Sequence, residues 1–236
     1  MKRKWLVKAL CMSTCLLLAS GFAACRSQQN NNGGGNGGNK PEEFLPISTV
    51  EELMAIGNSG SSYVLTRDLD LSGISWEPIK EFSGKLDGNE KKITNLTISQ
   101  SNGTLGMFEV LKGKVYDLTL EDVALTAIGT SGDMGALCGR AENATIENVT
   151  VYGEVSAKLV DHIGGIAGVA AHTLITNCKN YASVEGFSRV GGIAGSYERQ
   201  IASDDKYIEG SENYGNVTGY QTADDGFVGG IFGETY

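Results

Sequence analysis

Ile163-Gly164-Gly165-Ile166-Ala167-Gly168 is a phrase that this chain repeats. Clear copies stand at Val190–Gly195 and Val228–Gly233, and fainter ones at Met134–Gly139 and Leu105–Glu109. The copies end at residues 109, 139, 168, 195 and 233, so successive copies are 30, 29, 27 and 38 residues apart. Such a period is typical of a solenoid, in which every repeat forms one coil and packs against its neighbours.

A second phrase follows each glycine phrase except the last. Its apolar residues stand at positions one, four and six, as in Ile146, Val149 and Val151. A continuous strand would not put all three on one face, so the chain must bend between positions one and four. We therefore predict a strand, a corner and a second strand, with successive corners stacked in a ladder, which is the anatomy of a parallel β-helix. Position three holds residues that tolerate a left-handed backbone: Asn95, Asp117, Asn148, Asn177 and Gly210.

Composition is consistent with this all-β fold and limits the partners. The chain has 236 residues with 33 Gly and 3 Pro, which suits many tight corners between short strands. Its formal net charge is −9. Removal of Lys2, Arg3, Lys4 and Lys8 with a signal peptide would leave 15 basic against 28 acidic residues, a net charge of −13. This acidity disfavours nucleic acid as a partner.

The N-terminus predicts a secreted lipoprotein. An apolar run from Ala9 to Ala24 is too short for a comfortable transmembrane span, so residues 1–24 are expected to be a signal peptide. The run ends at Phe22-Ala23-Ala24-Cys25, which resembles the lipobox of bacterial lipoproteins, although a leucine is usual where Phe22 stands. Residues 25–40 would then be a lipidated Cys25 and a flexible linker rich in Ser, Gln, Asn and Gly. We expect an outer-membrane lipoprotein that faces either the surface or the periplasm.

Two cysteines remain in the folded part, because Cys11 and Cys15 leave with the signal peptide and Cys25 takes the lipid. Cys138 and Cys178 fall at different positions of the repeat, in slots that hold apolar residues in other coils. Buried free thiols are therefore favoured over a disulfide.

A short helix is predicted before the first coils, over residues 47–57. Thr49 and Glu52 have the spacing of a capping box. An amphipathic helix here would cover the open N-terminal end of the β-helix and prevent edge-to-edge association. Its apolar face is formed by Ile47, Val50, Leu53, Met54 and Ile56.

After this helix the chain reads Tyr63-Val64-Leu65, then Trp76 with Pro78-Ile79, then Phe82-Ser83-Gly84 and Asp87-Gly88-Asn89. Together with the Gly-Gly-Ile-Ala-Gly repeats, this order resembles the GLUG-motif family of right-handed parallel β-helices. The family name implies Leu where these repeats carry Ile, Ala or Phe. The family occurs in bacterial surface proteins, in adhesin-like lipoproteins and in the non-catalytic N-terminal region of immunoglobulin-A1-cleaving metallopeptidases. The resemblance implies a β-helix domain over residues 41–236.

Candidate catalytic groups are few. His162 and His172 are the only histidines, and the HExxH zinc motif of the peptidase relatives is absent, so that activity does not carry over. Each histidine fits a surface or corner position. Asp68 and Asp70 fit solvated strand positions better than a calcium site or a lyase site, which would also need a placed base. We predict no catalytic residue, no metal and no cofactor.

Two features mark a candidate ligand-binding site. Tyr152, Tyr181 and Tyr214 share one position in three coils and could stack sugar rings, although a structural stack is favoured. The longest step between glycine phrases places an insertion between Tyr197 and Lys206, and insertions in solenoids often carry recognition, with a loop of no function as the alternative. The candidate ligand-binding residues are Tyr197, Arg199, Asp204, Asp205, Tyr214, Asp224 and Asp225.

Three functions fit this pattern. Near-identical coils without a unique cluster of acid, base and metal ligand favour a non-catalytic, lipid-anchored module that binds a host or microbial glycan or protein, as an adhesin does. The alternatives are a polysaccharide lyase or hydrolase on the same fold, and a structural stalk of a larger surface protein. No second phrase follows the last glycine phrase, so we expect an incomplete coil that pairs with a partner strand or with the rest of a longer protein.

Overall fold

The computed structural model describes residues 42–57, 59–198, 208–221 and 226–235. Over these ranges the chain winds into a parallel β-solenoid of about five turns, as the repeats predict. The predicted signal peptide, Cys25 and the linker lie outside the described residues.

Three sheets run along the solenoid, and neighbouring strands in each pair in parallel, one coil above the next. The first sheet contains 13 strands, which are β1 (Phe44–Ile47), β2 (Ser62–Leu65), β3 (Leu69–Asp70), β5 (Lys85–Thr94), β6 (Thr97–Gln100), β8 (Lys114–Ala127), β11 (Thr145–Ala157), β14 (Leu174–Thr176), β15 (Lys179–Asn180), β16 (Ser183–Gly186), β19 (Ile208–Glu209), β20 (Glu212–Asn213) and β21 (Val217–Gly219). The second contains β4 (Ile79–Phe82), β7 (Phe108–Leu111), β10 (Cys138–Glu142), β13 (Ala167–Ala171), β18 (Ala194–Glu198) and β23 (Phe232–Thr235). The third contains β9 (Asp133–Gly135), β12 (His162–Gly164), β17 (Arg189–Gly191) and β22 (Val228–Gly229).

The glycine phrase connects the third sheet to the second. Ile163 and Ile166 are both completely buried in the core. A Cβ atom on Gly164 would overlap the carbonyl oxygen of Ala167, and one on Gly165 would overlap that of Gly192 in the next coil. The backbone therefore approaches itself too closely for a side chain at these positions, which is the physical reason for the repeated glycines.

The predicted corners adopt the left-handed backbone. The φ angle is 52° at Asp117 and Asn148, 53° at Asn177 and 59° at Gly210. The side-chain amide of Asn148 donates a hydrogen bond to Asp117 Oδ1 at 2.7 Å, so successive corners form the expected ladder.

The fifth predicted corner belongs to a different column. Asn95 is left-handed as well, with φ of 61°, but Ile93 pairs with Leu120 and not with the start of the second phrase in the next coil. The phrase that begins at Ile93 therefore stands one corner further along its coil, opposite Asp122, whose φ is 53°. Two corners of one coil carry the same residue pattern, so the pattern alone could not separate them.

The predicted helix is present but shorter. Helix α1 spans Val50–Met54, and its capping box forms: Thr49 accepts a hydrogen bond from the backbone of Glu52, which accepts one in return. Ile47, which the apolar spacing assigned to the helix, instead ends strand β1, which pairs with β2. The proline in this segment, Pro46, weakened the strand signal, because proline is tolerated only near the margin of a sheet.

The interior is filled in two ways. In the N-terminal coils, Phe82 and Phe108 stack with ring centroids 5.1 Å apart. In a later coil, the completely buried Asn180 donates hydrogen bonds to Ala182 O at 2.9 Å and to Asn213 Oδ1 at 2.8 Å. A polar ladder thus joins the apolar core towards the C-terminal end.

Both cysteines of the described chain are buried and free, as predicted. Burial raises the pKa of the Cys138 thiol, and it raises the pKa of Cys178 to about 12. Both side chains therefore remain protonated and act as small apolar core residues.

Candidate functional site

Three tyrosines form a column on the outside of the first sheet: Tyr152 in β11, Tyr181 after β15 and Tyr214 after β20. Parallel strands place equivalent residues one rung apart, so the rings stack. The centroids of Tyr152 and Tyr181 are 4.7 Å apart with 6° between the ring planes, and those of Tyr181 and Tyr214 are 4.8 Å apart with 8°. The structural stacking favoured from the sequence is confirmed, and we call these residues the tyrosine column.

Stacking determines which parts of the rings a ligand can reach. Both faces of the Tyr181 ring are covered by its neighbours, although the residue is 39% exposed. Tyr214 is 58% exposed, and no further ring in the described part of the chain stacks on its outer face. A sugar ring could therefore stack on Tyr214, whereas the middle of the column offers ring edges and hydroxyl groups.

Charged groups flank the column. Lys179 Nζ lies 3.7 Å from Glu212 Oε2, and both side chains are about half exposed. The same carboxylate oxygen accepts a hydrogen bond from the Tyr214 hydroxyl at 2.8 Å, which raises the pKa of Tyr214. Hydrogen-bond donors and acceptors beside aromatic edges suit a ligand rich in hydroxyl groups.

A second polar group lies further along the same sheet. The Tyr220 hydroxyl donates to Glu185 Oε2 at 2.8 Å, and this bond raises the pKa of Tyr220. The Ser156 hydroxyl donates to the same oxygen at 3.3 Å, and Lys158 Nζ lies 5.3 Å from the centroid of the Tyr220 ring. Sequence reasoning missed this group because Tyr220 is not part of a repeated phrase. The tyrosine column, Lys179, Glu212 and this group together form what we call the tyrosine face.

Of the seven predicted ligand-binding residues, the structure describes Tyr197 and Tyr214. Tyr197 lies in β18 with 5% of its surface exposed, and its hydroxyl donates to Thr173 O at 3.4 Å. It is a core residue, not the surface stacking platform that its position before the insertion suggested, because the small Ala170 beneath it leaves room inside the coil. Tyr214 lies outside, on the tyrosine face. The other predicted residues lie outside the described ranges and stay predictions: Arg199, Asp204, Asp205, Asp224 and Asp225.

A charged cluster on the other two sheets is held by ion pairs. Arg140 lies 2.9 Å from Glu142, 3.5 Å from Glu198 and 3.6 Å from Asp133, and His162 Nδ1 lies 3.0 Å from Asp133 Oδ1. Burial alone would lower the pKa of Arg140, but the hydrogen bond to Glu142 and the charges of Glu198 and Asp133 raise it. Arg140 thus pairs with two carboxylates of its own coil and with Glu198 two coils further on, and His162 pairs with Asp133 of the preceding coil, so the cluster joins coils together.

Asp68 and Asp70, which the sequence assigned to solvated strand positions, have structural partners. Asp70 accepts hydrogen bonds from the Asn95 amide and from the backbone and hydroxyl of Ser72, and these bonds lower its pKa. Asp68 accepts a backbone hydrogen bond at 2.9 Å, and His172 occupies a corner with φ of 50°. No three His, Cys, Asp or Glu side chains in the described ranges lie together as metal ligands would.

Two proteins of known sequence are similar to parts of this chain. Halomucin of Haloquadratum walsbyi is 33% identical over an alignment of 151 residues that covers 54% of this chain and 2% of Halomucin. A "Putative Gly-rich membrane protein" of Evansella cellulosilytica is 36% identical over an alignment of 94 residues that covers 37% of this chain and 11% of that protein. The chain thus spans a small part of each of these longer proteins.

A solved structure supports the fold. A crystal structure of a "putative immunoglobulin A1 protease" from Bacteroides ovatus superposes with a TM-score of 0.66 over 84% of this chain and 63% of that chain, at 22% identity. At this identity the likeness concerns the fold. The chain matches no family model. Among the described residues, no helix has the length and apolar character needed to cross a bilayer.

Proposed function

We propose that this chain is a non-catalytic, lipid-anchored module of the cell envelope that binds a glycan or protein ligand on its tyrosine face. The observation that carries the proposal is the tyrosine column, in which three in-register rings remain between 39% and 58% exposed beside Lys179 and Glu212. A contiguous exposed strip of large aromatic side chains is characteristic of a binding surface.

The chemistry of the face favours a glycan. Ring edges give apolar contact, while the carboxylates of Glu185 and Glu212 accept hydrogen bonds, and the ammonium groups of Lys158 and Lys179 donate them. The open face of Tyr214 provides the stacking platform that a pyranose ring prefers. The negative charge of the chain favours neutral or cationic ligands over polyanions.

The comparisons support an envelope role. One relative bears the name of a membrane protein, and a fold of this kind occurs in a protein named as an immunoglobulin A1 protease. We assign the chain to the GLUG-type β-helices on its Gly-Gly-Ile-Ala-Gly phrases. We further propose that α1 closes the N-terminal end of the solenoid, since Leu53 and Ile56 are buried against the core.

A glycan array with the purified full chain tests the binding proposal. The parent should bind a defined subset of glycans. Tyr214→Ala should reduce that signal at least tenfold, because it removes the open stacking face, while Tyr116→Phe outside the face should leave it unchanged. Equal binding by parent and Tyr214→Ala would contradict the site, and an array without any bound glycan would favour the structural stalk.

Membrane anchoring has its own test. Cys25→Ser removes the site of diacylation, so the variant should move from the membrane fraction to the soluble fraction, because acyl chains hold the module there. A control substitution at the neighbouring Ser27→Ala should leave the protein in the membrane. Sedimentation of the Cys25→Ser variant with the membrane, at unaltered gel mobility, would overturn the lipoprotein assignment.

The insertion after β18 is proposed to extend the same binding function. Deletion of residues 199–205 should weaken binding of the array ligand at nearly unchanged thermal stability, since Arg199, Asp204 and Asp205 would no longer contact the ligand. Replacement of the same segment by an equally long Gly-Ser segment is the control for loop length. Undiminished binding by the deletion variant would leave the tyrosine face as the whole site.

A further inference from the structure

Three stacked segments of the solenoid are nearly free of charge. Residues 97–108, 123–132 and 155–160 contain one charged residue, Lys158, in a chain with 28 acidic and 19 basic residues. Strands β6, β8 and β11 place these segments in successive coils, with one outward column formed by Ser99, Thr126 and Ser156. The exposed residues of the three segments, other than Lys158, are called the uncharged patch.

Two aliphatic side chains project from this patch. Ile128 is 79% exposed, the largest fraction among the large apolar side chains of the described residues, and Leu159 is 49% exposed in the next coil. Both stand in loops that connect the first sheet to the third. Exposed aliphatic side chains among uncharged polar groups suit a partner with an apolar layer.

Contacts with the solenoid hold these two loops in place. The Asn102 Oδ1 atom, one coil below the Ile128 loop, accepts a hydrogen bond from the Thr130 backbone N–H at 3.1 Å. Leu159 precedes Val160, whose side chain is buried in the core. Both aliphatic tips can therefore enter a partner without the cost of ordering a loop.

Charged groups lie only at the margins of the patch. The nearest acidic residues along the chain are Asp122, Glu154 and Asp161. The ammonium group of Lys158 lies 5.3 Å from the centroid of the Tyr220 ring, towards the C-terminal end. The patch is therefore a side on which this acidic chain can approach phosphate groups without close charge repulsion.

We propose that the uncharged patch rests on a lipid bilayer, with Ile128 and Leu159 inserted among the headgroups. This inference rests on the proposed lipid anchor at Cys25, which places the module beside a bilayer. A few aliphatic side chains bind a membrane weakly by themselves, and a lipid anchor is firm only with a second contact of this kind. The anchor and the patch would thus act together.

The position of the patch agrees with an anchor at Cys25. Residues 26–41 connect Cys25 to the described fold, and these 16 residues can span at most about 55 Å. The patch begins in the coil of β5 and β6, two rungs from β1, which is about 10 Å along the solenoid axis. The chain is therefore long enough for Cys25 to reach the bilayer on which the patch rests.

Bilayer contact leaves the tyrosine column uncovered. The column begins at Tyr152 in β11 and continues towards the C-terminal end with Tyr181 and Tyr214. The patch extends from β11 in the opposite direction, through β8 to β6. The N-terminal coils would lie on the membrane while the later coils present the binding face.

Fluorescence quenching by lipid tests the proposal. Every described strand lies between residues 44 and 235, so the chain of residues 25–236 retains the fold. Its Cys25 thiol is attached to a maleimide lipid in vesicles of phosphatidylcholine and phosphatidylethanolamine, while the two other thiols, Cys138 and Cys178, are buried. Because this tether is chemical, the result does not depend on diacylation, and the Cys25→Ser fractionation test can fail separately.

Ile128→Trp places a reporter at the tip of the patch, in a chain whose other tryptophan, Trp76, is buried. Brominated acyl chains should quench roughly half of the emission that this variant adds to the parent. Arg67→Trp, at an exposed position between β2 and β3, is the matched control and should lose less than about a tenth of its added emission. Adding Leu159→Glu to Ile128→Trp should weaken the quenching at least threefold.

Circular dichroism of each variant establishes that it is folded before quenching is measured. Unquenched emission from the folded Ile128→Trp chain would overturn the proposal, as would equal quenching at positions 128 and 67. Sedimentation equilibrium of the untethered parent covers the other occupant. Self-association that Leu159→Glu abolishes would show that a second copy covers the patch, and this result would also overturn the proposal.

Discussion

The coil that contains Ala136 and Val151 and the coil that contains Gly165 and Asn180 have the same backbone plan but different interiors. Val151 pairs with Asn180 in register, and Ala136 stands where Gly165 stands one coil later. The earlier coil is filled by apolar side chains. The later coil holds a buried amide that donates to the next coil.

Space explains the difference. A Cβ atom on Gly165 would come within 2.6 Å of Asn180 Nδ2, and a Cβ atom on Gly192 would come equally close to the amide nitrogen of Asn213. In the earlier coil, Val151 stands in place of Asn180 and has no amide group, so the methyl group of Ala136 is accommodated. The residue at the second glycine position therefore depends on the residue that faces it across the coil. Ala136 faces Val151 in the earlier coil, and Gly165 faces Asn180 in the later one.

Substitution of Gly165 should have the largest effect. Gly165→Ala places a methyl group against Asn180 and against the Gly192 carbonyl, so the free energy of unfolding should fall by about 3 kcal/mol or more. Urea denaturation measures this loss in the free energy of unfolding. The matched control is Ala136→Gly, which should cost about 1 kcal/mol through backbone entropy. Similar losses in the two variants would show that the glycine is not required by close packing.

Loss of the amide ladder should come next. Asn180→Val introduces the residue type that Val151 provides in the earlier coil. It leaves Asn213 Oδ1 and the Ala182 backbone N–H without their hydrogen-bond partner. We expect a loss of about 2 kcal/mol in the free energy of unfolding. In the Gly165→Ala background the same substitution should cost less, because it relieves part of the overlap. A double-mutant cycle measures this coupling, and strict additivity would contradict the proposed link.

The outer surface offers a smaller contrast. Tyr181→Ala removes two stacked contacts and should lower the free energy of unfolding by about 1–3 kcal/mol. Glu121, two coils earlier on the same face, and Lys92, three coils earlier, form an exposed ion pair at 3.0 Å. Lys92→Met should leave the urea midpoint unchanged within error, because exposed ion pairs contribute little. An equal effect of the two substitutions would mean that the stack contributes no more than the ion pair.

The smallest expected effect is on ionisation. Burial, followed by the charge of Asp87, raises the pKa of Tyr116 in the N-terminal coils to about 12. The raised pKa contributes stability below pH 10, and this contribution is lost as the pH rises from about 10 to about 12. Tyr116→Phe should remove the phenol that titrates at the high-pH end of the absorbance titration. The free energy of unfolding of the variant should also fall less steeply with pH over this range. A titration curve that loses an early phenol instead would contradict the assignment.

Repetition made most of the fold predictable. The glycine phrases recur at nearly constant steps, which predicts the solenoid. Corner residues such as Asn148 tolerate a left-handed backbone, which predicts the corners. The assignment of Ile93 to the wrong corner shows the limit of this approach. A repeated pattern predicts a corner, but strand register is needed to show which corner it is.

The candidate site was less accessible to sequence reasoning. Strand β18 is buried along Ala194–Tyr197, so it has no alternation from which the inward position of Tyr197 could be inferred. Its place in the core depends on the small Ala170 in the coil beneath. The tyrosine column was found because it recurs at one position, whereas Tyr220 and its partner Glu185 depend on side-chain contacts between coils.

The parallel pairing of the strands has a mechanical consequence. Hydrogen bonds between coils point along the solenoid axis, so a pull along that axis loads one coil boundary at a time, as in peeling, instead of shearing many bonds at once. Each coil of about 29 residues that detaches would release roughly 100 Å of chain. Under tension the module would therefore lengthen in discrete steps at modest force, and an object held at its far end would experience a compliant tether.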